Sequence, residues 1–218
     1  MLKKFITVAG NIGAGKSSLV EKLSDQLNWQ PFYEPVTHNP YLADFYNDMP
    51  AWGFHSQIYF LTHRLRVYHD LVNCPNSVIL DRSLYEDAEI FARNLYINQI
   101  MSRRDYETYE ALYRSLLSFL PTPDLVIYLR ASVETLLQRI HLRGRDYELS
   151  IDPKYIEQLN QSYETWISSF SLCPVLTIPA DTLNFVSHPK HLQLVVQKVQ
   201  EKIAGKDEVI FHPEEYSD

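Results

Sequence analysis

Five short apolar runs recur along the chain, and longer amphipathic stretches separate them. The runs read KFITVA, QPFYEP, SVILD, DLVIYL and CPVLTI, and the stretches between them include residues 17–27 and 51–73. Continuous apolar runs are typical of strands that are buried on both faces of a parallel sheet. Alternation of such strands with helices favours the same architecture. The pattern therefore predicts an α/β fold, with a five-stranded parallel sheet flanked by helices.

The chain length of 218 residues suits one domain of this kind, which we place at residues 1–204. The remaining residues, 205–218, form an acidic C-terminal tail that reads GKDEVIFHPEEYSD. We expect this tail to be frayed, as the ends of domains usually are. Packing of Val209, Ile210 and Phe211 onto the domain is the alternative.

The composition limits the kinds of molecule that the protein is expected to bind. The chain has 20 basic and 27 acidic residues, a net charge of −7, which argues against nucleic-acid binding by general basicity. An anionic ligand would need a local cluster of cations. Cys74 and Cys173 lack the spacing of a metal site, and no apolar stretch is long enough to cross a bilayer. We therefore expect a soluble, cytoplasmic protein with reduced cysteines and no membrane partner.

The first apolar run leads into GNIGAGKS, which matches the nucleotide-binding pattern G-x-x-x-x-G-K-[ST] between a predicted strand and a predicted helix. The glycines let backbone N–H groups point at phosphate oxygens, and the following helix adds positive potential. Lys16 would reach the outer phosphates of ATP, and the Ser17 hydroxyl would hold Mg²⁺. A glycine-rich turn without a nucleotide is the alternative. The predicted ATP-binding residues of this loop are Gly10, Asn11, Ile12, Gly13, Ala14, Gly15, Lys16, Ser17 and Ser18.

The stretch RIHLRGRD adds cations near the expected phosphates. Arg139 and Arg143 share a helix face, and Gly144 allows a turn that presents Arg145. Such a cluster is typical of a lid that closes on a phosphoryl group during transfer, so we assign these arginines to ATP binding. A solvated basic helix end is the alternative. The chain lacks the N-K-x-D stretch of guanine-reading GTPases, which favours a kinase for a small acceptor.

Two further strands end in polar residues. SVILDRS ends in Asp81 and Arg82, and Glu34 follows the run before it, in YEPV. Because the carboxyl ends of parallel strands line the ligand crevice, these side chains should converge on the phosphate-binding loop. Asp81 would help Ser17 to hold Mg²⁺. Either carboxylate could deprotonate an acceptor hydroxyl, and we favour Glu34 over Asp81 as that base.

The chain resembles the deoxyribonucleoside kinase family over nearly its whole length. These motifs appear in the order of that family, together with WGFHSQIYFLTHR, DRSLYED, YETW and CPVL. HNPYLADFYNDM and DRSLYEDAEIFA look most like its bacterial deoxyadenosine/deoxycytidine kinase branch. The resemblance implies a P-loop kinase fold and a homodimer. It implies that Glu34 takes the proton of the sugar 5′-hydroxyl, that Arg82 bridges this hydroxyl and the phosphates, and that Tyr46 and Glu148 hold the 3′-hydroxyl.

The same resemblance assigns the nucleobase to Gln57, with help from Arg64 and Asp87 and with Phe91 stacked on the ring. Helix spacing supports part of this assignment, since Gln57, Phe60 and Arg64 form one stripe of the helix predicted at residues 51–73. An ordinary ion pair between Arg64 and Asp87 is the alternative. The apolar stripe that should face the core is made by Phe54, Ile58, Leu61 and Leu65.

The sequence thus predicts a kinase of nucleotide salvage that transfers a phosphoryl group from ATP, with Mg²⁺, to the 5′-hydroxyl of a deoxyribonucleoside. Deoxyadenosine and deoxycytidine are the favoured acceptors, and deoxyguanosine is a further one. A thymidylate kinase-like nucleoside monophosphate kinase is one alternative function. A non-catalytic nucleotide sensor, which would tolerate Glu34→Gln, is another.

Overall fold

The computed structural model describes residues 3–33 and 39–216, and these residues form the predicted α/β fold. Its five strands are all parallel and are ordered β2-β3-β1-β4-β5 across the sheet. Each of the five apolar runs supplies one strand, so the strand prediction is confirmed. The strands are β1 (Phe5–Ala9), β2 (Gln30–Phe32), β3 (Val78–Asp81), β4 (Leu125–Arg130) and β5 (Val175–Pro179).

Helices flank the sheet and bury its residues in two hydrophobic clusters. None of the described helices combines the length and the apolarity that a bilayer span requires. The helices are α1 (Lys16–Leu27), α2 (Leu42–Asn47), α3 (Met49–Asn73), α4 (Leu84–Glu86), α5 (Arg93–Ile97), α6 (Arg103–Leu117), α7 (Val133–Arg143), α8 (Pro153–Ser169) and α9 (Pro189–Ile203).

The central strand β1 fixes where the site can form. Val8 on β1 is paired with Asp81 on β3, so the loop after β1 begins beside the end of β3. Every residue of β1 is buried, which explains why its sequence is an unbroken apolar run. The register therefore places the phosphate-binding loop and the Asp81-Arg82 turn at the same edge of the sheet.

Helix α3 follows its predicted pattern only in part, since Leu61, Phe54 and Ile58 pack in or against a core cluster. Of the apolar stripe expected in the core, only Leu61 is fully buried, whereas Phe54, Ile58 and Leu65 are partly exposed. Gln57 and Arg64 are buried instead. Burial of polar side chains is costly unless they meet polar partners, so this face of α3 is built for contacts other than apolar packing.

A π-helical turn, Asp87–Ala92, joins α4 to α5 and makes residues 84–97 continuously helical. Such turns are rare and frequently lie at functional sites. Here the π-helical turn carries Asp87 and Phe91, both of which line the large cleft described below.

The C-terminal tail is anchored to the domain at Phe211, as the alternative prediction had it, whereas residues 205–208 and 212–215 remain exposed. Phe211 is buried in the core cluster beneath it. Lys198 of α9 forms an ion pair with Glu215 at 2.8 Å, and the Nε2 of His191 bonds to the Tyr216 carbonyl oxygen at 3.0 Å. Burial of the Phe211 ring outweighs the tendency of the acidic chain end to remain solvated.

Candidate active site

A cleft of about 710 Å³ opens at the carboxyl ends of the strands. Its lining runs from the phosphate-binding loop, through Asp81 and Arg82, to Gln57 on α3. Most of the residues predicted to bind ATP or substrate therefore meet in one cavity, whose size suits ligands of low molecular weight.

The phosphate-binding loop closes tightly around its own lysine. Lys16 Nζ donates to the carbonyl oxygens of Gly10 at 2.8 Å and Asn11 at 3.0 Å. Gly13 has φ +84°, and a Cβ there would lie 2.7 Å from the Leu136 carbonyl oxygen, so only glycine fits. Six of the nine predicted loop residues line the cleft: Ile12, Gly13, Gly15, Lys16, Ser17 and Ser18.

The remaining three loop residues support the loop from outside the cleft lining. The side chain of Asn11 donates to the Ile156 carbonyl oxygen at 3.0 Å and ties the loop to α8. Ala14 is fully buried, and its carbonyl oxygen accepts a bond from Arg139. Gly10 donates its N–H to Glu86 Oε1 at 3.2 Å.

The end of β3 supplies oxygen atoms that fit Mg²⁺. Ser17 Oγ donates to Asp81 Oδ2 at 2.5 Å, and Asp81 is almost fully buried. Hydroxyl and carboxylate oxygens are the hard ligands that this cation prefers. In residues 3–33 and 39–216, no cluster of three or more His, Cys, Asp or Glu side chains could hold a metal on its own. A Mg²⁺ ion bound here would share its ligands with nucleotide phosphates and water, as this ion usually does.

Arg82 has a left-handed backbone with φ +65°, which costs a residue with a side chain about 1–3 kcal/mol. Its N–H donates to the Val8 carbonyl oxygen at 3.0 Å, and its own carbonyl oxygen accepts from Arg64 at 2.7 Å. Its guanidinium lies over the Phe91 ring, 4.2 Å from the centroid. The surrounding contacts thus hold this strained turn and aim the guanidinium into the cleft. Glu34, the base predicted from sequence, lies outside the described residues.

The far end of the cleft carries the residues assigned to the nucleobase. Gln57 is 3% exposed, and within residues 3–33 and 39–216 its Oε1 atom has no hydrogen-bond partner. Asp87 lines the cleft as well, and both of its oxygens accept bonds from Arg64, at 3.0 and 3.3 Å. Arg64 itself is absent from the cleft lining and acts on the site through Asp87 and the Arg82 turn. Ion pairing and base recognition by Asp87 are therefore compatible rather than alternative roles.

The residues assigned to the sugar lie on the side of the lid. Tyr46 stacks on Tyr147 with ring centroids 6.0 Å apart, and burial raises the pKa of its hydroxyl well above the ordinary value. That hydroxyl is therefore a neutral donor at all physiological pH values. The buried Glu148 carboxylate is bonded to Arg143 at 2.6 Å and to Arg145 at 3.2 Å.

The three predicted lid arginines all line the cleft but divide into two groups. Arg139 donates to the carbonyl oxygens of Ala14 at 3.1 Å and Ala180 at 2.7 Å, and burial lowers its pKa. Arg143 and Arg145 are held by Glu148 instead. Helix α7 ends as predicted, with Gly144 in the left-handed conformation at φ +65°.

Two features of the site were missed from the sequence. The segment after β5 lines the cleft near the phosphate-binding loop, with Phe185 Cζ 3.5 Å from the position of a Cβ on Gly15. No motif marks that segment. The buried Glu86 was also missed, although it closes the capping box Ser83-Leu84-Tyr85-Glu86, a pattern that the sequence does display.

Comparison with known proteins agrees with this geometry. The sequence model of the family described as deoxynucleoside kinase matches residues 6–204. The chain is 38% identical over 196 residues to the deoxyadenosine/deoxycytidine kinase of Bacillus subtilis, across 89% of this chain and 90% of that protein. It is also 38% identical over 207 residues to a deoxyguanosine kinase of Lactobacillus johnsonii, across 91% and 92% of the two chains.

A solved structure of M. mycoides deoxyadenosine kinase with bound dATP superposes with a TM-score of 0.80 at 34% identity. The match covers 90% of this chain and 99% of that one. A structure of the same kinase with the products dCMP and dCDP gives a TM-score of 0.81. Fold, site geometry and sequence similarity thus agree that the chain belongs to the deoxynucleoside kinase family and is an enzyme that phosphorylates deoxynucleosides.

Proposed function

We propose that the enzyme transfers the γ-phosphoryl group of ATP, with Mg²⁺, to the 5′-hydroxyl of deoxyadenosine or deoxycytidine in nucleotide salvage. The observation that carries this proposal is one cleft with a phosphate-binding loop at one end and, at the other, the buried Gln57 Oε1, which has no hydrogen-bond partner in the part of the chain that the structure describes. Positioning two substrates in one cavity removes much of the entropic barrier to their reaction.

The donor would lie on the loop side of the cleft. The loop N–H groups and the N-terminus of α1 would hold its phosphates, with Lys16 on the outer ones. Ser17 and Asp81 would hold Mg²⁺, which would neutralise charge on the phosphate oxygens when bound. Arg82, Arg139, Arg143 and Arg145 all line the cleft and would stabilise the negative charge of the transferring group.

In the proposed reaction the 5′-oxygen of the deoxyribose forms the new bond to the γ-phosphorus. The bond from that phosphorus to the leaving oxygen of ADP breaks. The proton of the 5′-hydroxyl passes to the carboxylate of Glu34, the base proposed from its place after β2. Arg82 would hold the 5′-oxygen and the phosphate together, because its guanidinium is already aimed into the cleft.

The proposed preference for adenine or cytosine rests on two hydrogen-bond acceptors. Gln57 Oε1 is buried and meets no partner among the described residues, and the Asp87 carboxylate can accept but not donate. Adenine and cytosine carry exocyclic amino groups that donate hydrogen bonds, whereas thymine presents a carbonyl oxygen at the corresponding position. Phe91 would contribute a ring face to the base.

The test is an ADP-release assay with Mg-ATP and a panel of deoxyadenosine, deoxycytidine, deoxyguanosine, thymidine and thymidine monophosphate. We expect turnover of deoxyadenosine or deoxycytidine to exceed turnover of thymidine. The variant Gln57→Leu should lower kcat/KM for the preferred nucleoside by about 10- to 100-fold, because the amino group loses its acceptor. Turnover of the monophosphate alone would contradict the proposed acceptor.

The catalytic base is tested separately. Glu34→Gln should lower kcat by about 10²–10⁴-fold while the affinity for ATP stays near that of the unmodified enzyme. Activity that survives this substitution would contradict the assignment of Glu34 and would favour Asp81 as the base.

We further propose that the enzyme is a cytoplasmic homodimer. Its cysteines form no disulfide, as expected for a reducing compartment. Helices α3 and α6 contact each other and carry the exposed apolar residues Val72 and Leu112, so we propose this side of the protein as the dimer face. Light scattering coupled to size-exclusion chromatography should give twice the chain mass of 25.5 kDa. A mass of one chain would contradict the dimer.

A further inference from the structure

Glu86 is a buried carboxylate near the cleft that accepts four hydrogen bonds, and none of the roles above uses it. The residue is 0% exposed. Oε1 accepts the N–H of Gly10 at 3.2 Å and the hydroxyl of Tyr163 at 2.9 Å. Oε2 accepts the N–H of Ser83 at 2.8 Å and the Ser83 hydroxyl at 3.1 Å. Each oxygen thus accepts one backbone bond and one side-chain bond.

These four bonds join three separate parts of the enzyme. Gly10 is the first residue of the phosphate-binding loop, and Ser83 directly follows the strained Arg82. Tyr163 lies on α8, the helix to which Asn11 ties the same loop. Glu86 therefore spans the gap between the residues that would hold the donor and the arginine that would bridge donor and acceptor.

The hydrogen-bond pattern matches the ionised carboxylate. All four groups donate to Glu86, and a protonated carboxyl would instead need an acceptor for its own hydrogen. Burial raises the pKa of Glu86 above its ordinary value, whereas the charges of Arg82 and Lys16 and the donated hydrogen bonds act in the opposite direction. A buried negative charge at this place is balanced by the cations that serve phosphate transfer.

We propose that Glu86 is a positioning residue that fixes the phosphate-binding loop against the Arg82 turn. The pairing of Val8 with Asp81 sets the register of the two strands, and the Arg82 N–H extends it by one bond to the Val8 carbonyl oxygen, so the turns still need alignment at Gly10 and Ser83. Glu86 supplies that alignment through one backbone N–H on each turn. This inference rests on the proposed function of the cleft as the site of phosphoryl transfer.

The isosteric variant Glu86→Gln tests the proposal sharply. An amide has one acceptor oxygen and one NH₂ group. Each of the two carboxylate oxygens that they replace faces a backbone N–H. In either orientation the NH₂ group therefore opposes a donor that cannot rotate away. One of the two turns must move, although the volume and packing of the side chain are unchanged.

We expect Glu86→Gln to lower kcat by about 10- to 100-fold, the size of effect that a misplacement of about 1 Å produces. The KM for the nucleoside should change by less than about threefold, since Gln57 and Tyr46 are untouched. The Kd for Mg-ADP, measured by calorimetry, should rise by about fivefold because the loop N–H groups shift. A folded variant with kcat and Kd within about twofold of the unmodified enzyme would overturn the proposal.

Glu164→Gln is the matched control. Glu164 follows Tyr163 on α8 and bonds to Arg130 at 2.8 Å, but it is partly exposed and lies outside the cleft lining. Both kinetic constants of this variant should stay within about twofold of the unmodified values. If Glu86→Gln fails to fold, Tyr163→Phe decides the matter, since it removes one of the four donors and leaves the carboxylate. A fall in kcat of about threefold or more supports positioning, and an unchanged kcat overturns it.

The two proposals fail in different ways. If the unmodified enzyme turns over none of the panel nucleosides, the proposed acceptors are wrong. The calorimetric Kd for Mg-ADP still tests Glu86 in that case, because it depends only on the phosphate-binding loop. An unchanged Kd would then overturn the positioning role.

Discussion

Arg143 Nη2 lies 2.6 Å from Glu148 Oε2, so the end of the lid helix is bonded to a carboxylate of the cleft. Glu148 is buried, whereas the side chain of Arg143 keeps 35% of its surface exposed. If Glu148 holds the 3′-hydroxyl of the sugar, the same carboxylate joins the acceptor to the cations assigned to the phosphates. Occupation of the sugar site and closure of the lid are then physically linked.

Glu148→Gln should raise the KM for the preferred deoxynucleoside by about tenfold, because the amide is a weaker acceptor for the 3′-hydroxyl and loses the arginine pairs. The increase in KM that Glu148→Gln causes should be smaller with a 2′,3′-dideoxynucleoside, since that compound has no 3′-hydroxyl for Glu148 to bind. Steady-state kinetics with both substrates measures this difference. An equal increase in KM with the two compounds would contradict contact between Glu148 and the sugar.

Arg64→Met should lower the free energy of unfolding by about 3–5 kcal/mol, because it leaves the Asp87 carboxylate buried without its cation. The surface pair of Lys4 and Asp124 provides the control, and Lys4→Met should cost about 1 kcal/mol or less. Urea denaturation of both variants gives the comparison. Similar losses in the two variants would mean that burial of the Arg64 pair contributes little to folding.

Phe211→Ala should lower the free energy of unfolding by about 3 kcal/mol, the cost of removing a buried aromatic ring. The neighbouring Ile210 is 48% exposed, so Ile210→Ala should change stability by only about 0.5 kcal/mol. Thermal or urea unfolding distinguishes the two. A negligible effect of Phe211→Ala would show that the tail frays in solution after all.

Asp181 gives a pH-dependent prediction. Burial raises the pKa of its carboxyl, but hydrogen bonds from Thr135 and Ser132 outweigh burial and hold the pKa below the ordinary 3.8. A lowered pKa means that the carboxylate stabilises the fold above about pH 4 and that this stabilisation is lost as the pH falls through the folded value.

Asp181→Asn should therefore cost about 0.5–1 kcal/mol at pH 7, a modest value because the group is exposed to solvent. The difference between the variant and the unmodified enzyme should shrink as the pH falls below about 4 and through the folded pKa of Asp181. Unfolding free energies measured across that range test the sign. A difference that grows as the pH falls would contradict it.

Much of the fold was predictable because its three central strands are buried on both faces. Strands β1, β3 and β4 are continuous apolar runs, and their bounds follow from the sequence almost to the residue. The phosphate-binding loop could be predicted equally well from sequence, since the local path of its backbone requires its glycines and Lys16. Local chemistry therefore determined the sheet, the loop and the class of ligand.

Tertiary structure decided what no local pattern encodes. Gln57 and Arg64 share one predicted stripe of α3, yet Gln57 lines the cleft whereas Arg64 is buried outside its lining. Arg64 pairs with Asp87, as one interpretation of the sequence had it, and it also bonds to the Arg82 carbonyl oxygen, which no local pattern indicates.

The same distinction applies to Glu86 and Phe211. The sequence displays the capping box that contains Glu86, but only the register of β1 beside β3 brings Gly10 within reach of the carboxylate. The tail reads as a solvated acidic end, yet Phe211 finds a core position against residues far away in sequence. The sequence by itself determined the local elements and the class of chemistry, because these depend on neighbouring residues. Long-range contacts decided which polar groups are buried and what they hold, since their free energy exists only once the chain has folded.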